Sequence, residues 1–92
     1  MDVLVVGGGG REHAIAWRLS RSASVQTLHA APGSAAIARL GRCHAVDVSD
    51  IEGLVGLAQR LRVDLVVIGP EGPLVAGLAD RLRTVGVATV GP

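Results

Sequence analysis

Residues 1–21 read MDVLVVGGGGREHAIAWRLSR. A short β-branched apolar run, DVLVV at 2–6, predicts a buried strand. Glycines 7 to 10 end it. Charged and apolar residues then alternate over 11–21 as in an amphipathic helix, with Ala14, Ile15, Trp17 and Leu19 as its apolar positions. Strand, glycine loop, helix is the opening unit of a parallel α/β sheet, and the rest of the chain repeats its grammar.

A second strand is predicted over 25–30 (VQTLHA), then a turn at APGSAA and a short helix over 35–40. A weaker third strand is predicted over 43–48 (CHAVDV). Ser49 with Glu52 three residues later has the form of a capping box. The helix behind it places Ile51, Leu54, Val55, Ala58 and Leu61 on one face. A fourth strand, DLVVI at 64–68, leads through GPEGP to a helix with Pro73 at its first position. Leu74, Val75, Leu78, Ala79 and Leu82 form its apolar face, and Gly86 suits its C-terminal cap. VATV at 87–90 is the last strand. Short connections between alternating strands and helices predict an α/β fold, a Rossmann-like open parallel sheet of about five strands with helices on both faces. The segments DVLVVG at residue 2 and DLVVIG at residue 64 share strand chemistry without establishing a repeat.

Ninety-two residues correspond to one small domain. Apolar residues make up 49% of the chain, with one Trp and no Phe or Tyr, so Val, Leu and Ala must supply the core. The scarcity of aromatics argues against single-strand nucleic-acid binding. The nine basic residues, all arginine, form no stripe, and the net charge is +1. No nucleic-acid partner is expected. No apolar run approaches a membrane span, and no signal peptide precedes the first strand, so a cytoplasmic protein is expected. Cys43 has no partner or metal-ligand spacing and reads as a small buried apolar residue.

Ligands of parallel α/β sheets sit beyond the carboxyl ends of the strands. Two loops fall there. Gly7–Gly10 could expose amides to an anion at a helix N-terminus, or could be glycine-rich only to let the helix pack closely. A dinucleotide fingerprint fails on spacing: counting G-x-G-x-x-G from Gly7 reaches Glu12, and from Gly8 reaches His13. No Asp or Glu lies between Arg21 and Val46 to bind an NAD ribose. The second loop, GPEGPL at 69–74, places Glu71 where a carboxylate could bind vicinal hydroxyls or simply face solvent at a helix start. Glu12 and His13 open the first helix without a nucleophile or metal partner nearby in sequence, and no catalytic or metal residue is assigned. His29 and His44 read as satisfied structural histidines.

VLVVGGGGREHAIAWRL, APGS, DLVVIGPEGPLVAGLADRL and the closing GP occur in one order and spacing. Together they closely resemble the N-terminal domain of the phosphoribosylamine–glycine ligases, also called glycinamide ribonucleotide synthetases, of the ATP-grasp superfamily. The resemblance runs over residues 1–92, with Gly8 where the family commonly has Ser and Ser34 where it commonly has Asn. It implies a pre-ATP-grasp domain of an enzyme that joins glycine to 5-phosphoribosylamine at the expense of ATP, in purine biosynthesis. Glycine would be activated as an acyl phosphate, with Mg²⁺ or Mn²⁺ accompanying ATP. The resemblance places ATP and metal on ATP-grasp and C-terminal domains outside this chain. No cofactor is expected on the chain itself, and no ligase activity from it alone. By motif, Gly9 and Gly10 would present amides to the phosphoribosyl substrate and Glu71 would bind its ribose hydroxyls. Arg11, Glu12, His13, Pro32 and Gly33 would shape the pocket. Two alternatives differ in function: the same domain in another ATP-grasp purine ligase or carboxylase, and a stand-alone nucleotide-sensing module.

Overall fold

A computed structural model describes residues 1–70 and 73–91. Five strands, β1 (Asp2–Gly7), β2 (Thr27–Pro32), β3 (Arg42–Cys43), β4 (Leu65–Ile68) and β5 (Ala88–Val90), form one sheet in the order β3-β2-β1-β4-β5. Every pairing is parallel. Helices α1 (Gly10–Ser20), α2 (Ile51–Leu61) and α3 (Pro73–Thr84) connect them, with a single 3-10 turn at Ile37–Arg39. The fold is thus the α/β Rossmann-like sheet that the alternating pattern predicts.

Alternation along β1 divides the core. Leu4 and Val6 face α2 and α3 and pack with Leu54, Val55, Ala58, Leu78 and Leu82. Val3 and Val5 face the other way and pack with Ala16 of α1 and Ile37 of the 3-10 turn. The central strand is sealed on both sides, with Val3, Leu4 and Val5 at 0% exposure, which is why DVLVV is a continuous apolar run. The two like segments lie side by side: Val3 pairs with Leu65. At their starts the Asp2 amide donates to Asp64 Oδ2 at 2.7 Å, and the Asp64 amide donates to the Asp2 carbonyl at 2.7 Å.

Four local expectations are corrected. The third strand is only Arg42–Cys43, and it ends where the chain turns toward α2. Cys43 is therefore exposed on a short edge strand, where a two-residue pairing leaves little to cover it. The cap of α2 is Asp50, whose Oδ1 accepts the Gly53 amide at 2.9 Å. Ser49 instead bonds Asp47, and Glu52 reaches across to α3, accepting from Arg81 Nε at 2.7 Å and Nη2 at 2.8 Å. That pair is exposed and adds little stability, but it draws Glu52 away from the helix start. Finally, Trp17 lies outside the core. It is 47% exposed, with the Arg21 guanidinium 5.2 Å from its ring centroid. The sheet-facing positions of α1 are Ala16, Ile15 and Leu19.

Helix ends show the expected chemistry. Gly86, at φ +80°, closes α3 as its left-handed cap, with Gly86 N–H bonded to Arg83 and Val87 N–H to Leu82. α2 uses the same closure, but the left-handed residue is Arg62, at φ +53°. A side chain there is disfavoured, so Arg62→Gly should stabilise the chain by about 0.5–1 kcal/mol in urea unfolding. An unchanged midpoint would contradict this.

His29 and His44 satisfy each other, with Nδ1 and Nε2 3.0 Å apart. Burial holds His29 below its ordinary pKa of 6.5; the His44 charge adds to this, Asp2 opposes it, and Arg42 adds weakly. The unfolded chain therefore binds more protons than the folded one as pH falls below about 6.5, and stability falls with it. Urea midpoints measured at pH 7.5 and 5.5 should show this loss. His29→Asn should flatten it.

Candidate functional site

The chain runs from β1 to β2 toward one edge of the sheet and from β4 to β5 toward the other, so the switch point lies between β1 and β4. In parallel α/β sheets the ligand-binding region lies there, beyond the strands' carboxyl ends. Its first wall is the glycine loop. Gly7 leaves β1 at φ +126°, and Gly9 serves as the N-cap of α1, its carbonyl accepting the His13 amide at 2.9 Å. Gly9 and Gly10 are both exposed. Among the described residues, nothing lies within 4 Å of where a Cβ on Gly10 would stand.

The loop after β2 lies against this wall. Pro32 pairs with Gly7 in the sheet, and the Gly33 amide donates to the Gly7 carbonyl at 3.1 Å. A side chain on Gly8 would run into the Gly33 carbonyl. A residue larger than glycine at position 8 would thus need the Gly33 loop to shift. Ser34 continues the loop, and its hydroxyl accepts the Ile37 amide at 3.2 Å, capping the 3-10 turn.

The opposite wall begins at Gly69, whose amide extends the β1–β4 ladder to the Val6 carbonyl at 3.1 Å. Arg11 Nη1 donates to the Gly69 carbonyl at 3.2 Å, so α1 grips this loop directly. Arg11 also lines a cleft of about 310 Å³ with Ile15, Val67, Gly69, Val90 and Gly91. His13 is half-buried one turn into α1.

Glu12 differs from its neighbours. It is 8% exposed, and its Oε1 accepts the Gly9 amide at 2.9 Å. This is half of a capping box, since glycine has no side chain to return the bond. The carboxylate lies at the positive end of α1, where the helix dipole favours it. The Gly9 N–H is thereby bound within the protein, and Gly10 carries the open side of the loop.

Of the residues singled out from sequence, Gly9, Gly10, Arg11, Glu12 and His13 thus share one helix start, and Pro32 and Gly33 stand on the adjoining strand end. Glu71 lies outside the described residues. Sequence reasoning missed Gly69 as a packing partner of Glu12. The only signal was its position two residues before Glu71. Among the described residues, no group of three or more His, Cys, Asp or Glu side chains could hold a metal ion. No helix is long and apolar enough to cross a membrane among them.

A five-stranded parallel sheet with a glycine loop after its central strand defines a Rossmann-like α/β domain, without the spacing or the acid of an NAD fold. The chain belongs to the phosphoribosylglycinamide synthetase N-domain family, whose model matches residues 1–92. Over 92 residues it is 50% identical to the phosphoribosylamine–glycine ligase of Agrobacterium fabrum. It is 51% identical to the enzymes of that name from Streptomyces coelicolor and Mycobacterium leprae. All of this chain is covered in each case, and it spans 22% of the length of these relatives.

Proposed function

We propose that this chain is the phosphoribosyl-binding domain of an ATP-dependent ligase that joins glycine to 5-phosphoribosylamine, giving glycinamide ribonucleotide. The observation that carries the reading is the exposed Gly9–Gly10 edge beside the Gly69 loop, in a chain whose family and relatives bear that enzyme's name. The helix start offers the Gly10 amide, which has no partner within its own helix. Arg11 orients the facing loop through the Gly69 carbonyl. Glu71, two residues on, accepts the ribose hydroxyls, and His13, Pro32 and Gly33 shape the wall. ATP supplies the phosphoryl group that activates glycine, with Mg²⁺ or Mn²⁺, on the ATP-grasp and C-terminal parts of a polypeptide of the relatives' length. The setting is the cytoplasm.

The test is turnover. A polypeptide of the relatives' length carrying this chain should form glycinamide ribonucleotide from glycine, phosphoribosylamine and ATP. A requirement for a different acceptor would favour another purine ligase of the superfamily. Tight binding of NAD or AMP to the 92-residue chain, seen by titration calorimetry, would favour a nucleotide sensor.

Gly10 separates binding from folding. Gly10→Ala should leave the melting temperature unchanged or slightly raised, because its methyl meets none of the described residues and alanine is the better helix former. The same methyl intrudes on the ligand, and KM for phosphoribosylamine should rise about tenfold, a change of about 1.4 kcal/mol. An unaltered KM would remove Gly10 from the site.

A further inference from the structure

We propose that Glu12 is a positioning residue, a buried strut that sets the spacing between the glycine loop and the loop after β4, and that Gly69 lacks a side chain because Glu12 fills its space. A Cβ on Gly7 would stand 2.5 Å from both Cγ and Oε1 of Glu12. A Cβ on Gly69 would stand 2.5 Å from Cγ and from Oε2. One side chain therefore fills the gap between the ends of two adjacent strands, β1 and β4, whose sheet pairing stops just before these glycines. The arm is held at its tip by the Gly9 amide at 2.9 Å, and the next residue back, Arg11, holds the Gly69 carbonyl at 3.2 Å.

The consequence is geometric. Restoring van der Waals separation around an added methyl needs a movement on the order of 1 Å, and a misplacement of that size in a binding site can cost about a hundredfold in rate. Glu12 acts through the two loops, without touching the ligand. This role rests on the phosphoribosyl reading above, but its packing half can be measured without it.

The experiment is a double-substitution cycle. In the 92-residue chain, Gly69→Ala should lower the melting temperature by about 8 °C or more. In a Glu12→Ala background the same change should shift it by less than about 2 °C, because the colliding arm is gone. Should Glu12→Ala fail to fold, Glu12→Asp, with its shorter arm, takes its place and should relieve part of the penalty. In the ligase, Gly69→Ala should raise KM for phosphoribosylamine about tenfold or more, with KM for ATP and glycine unchanged. Glu12→Gln fills the same volume and still accepts the Gly9 N–H, and it should keep KM within about threefold of the unmodified enzyme. Additive melting shifts would overturn the strut, as would a Glu12→Gln enzyme as damaged as Glu12→Ala. An unmodified enzyme that makes no glycinamide ribonucleotide would overturn the functional reading alone, leaving the melting cycle to decide the strut.

Discussion

Leu4→Ala is expected to destabilise the folded chain by about 3 kcal/mol, within the usual range for a leucine removed from a packed core. Leu4 is fully buried in the central strand, against the α2 and α3 side of the sheet. A domain of this length has a total stability of about 5–14 kcal/mol, so the loss is a large share of it. The melting temperature should fall by about 12–24 °C. Calorimetry or urea unfolding measures this, and a loss below about 1 kcal/mol would mean that the sheet repacks more freely than its closed core implies. The proposed site would also be affected, since β1 carries the glycine loop at its carboxyl end.

Glu71→Ala carries the second large effect. If its carboxylate accepts both ribose hydroxyls, removing it leaves two ligand donors without an acceptor. Each hydrogen bond to a charged group contributes about 1.5–3 kcal/mol. KM for phosphoribosylamine should then rise by about a hundredfold or more, with KM for ATP and glycine little changed. Glu71→Gln should fall between, because a neutral amide oxygen accepts more weakly than a carboxylate. Steady-state kinetics of the ligase decides it, and normal affinity in Glu71→Ala would remove that residue from the site.

The architecture was legible because each long element carries its own period. DVLVV is buried on both faces, DLVVI is buried on one and half-buried on the other, and both read as near-continuous apolar runs, while Ile51, Leu54, Val55 and Ala58 repeat at helical spacing. What local pattern missed depends on contacts distant in sequence. The cap of α2 could be read at Ser49 because Glu52 lies three residues on, but Glu52 belongs to Arg81 of α3. Asp50 was then free to cap Gly53. Cys43 looked buried by residue type, yet a two-residue edge strand cannot bury it. Trp17 looked like core for the same reason, although its position on α1 turns it away from the sheet. In the site, GGREHA and GPEGPL marked the two loops, and the sheet order brings their strands together at β1 and β4. The fit of Glu12 between Gly7 and Gly69 was not legible, because it joins residues far apart in the chain and depends on where one carboxylate arm lies.

The central claim is that the carboxyl edge of β1, β2 and β4 in this domain receives the phosphoribosyl substrate. It is tested most directly by hydrogen exchange, followed by mass spectrometry, on a polypeptide of the relatives' length with and without glycinamide ribonucleotide. Exchange should slow at Gly8–Arg11, at Gly33–Ser34 and across Gly69–Glu71, and remain unchanged in the middle of α2 and α3. Protection confined to residues outside this chain, with these three loops unaffected, would contradict the account.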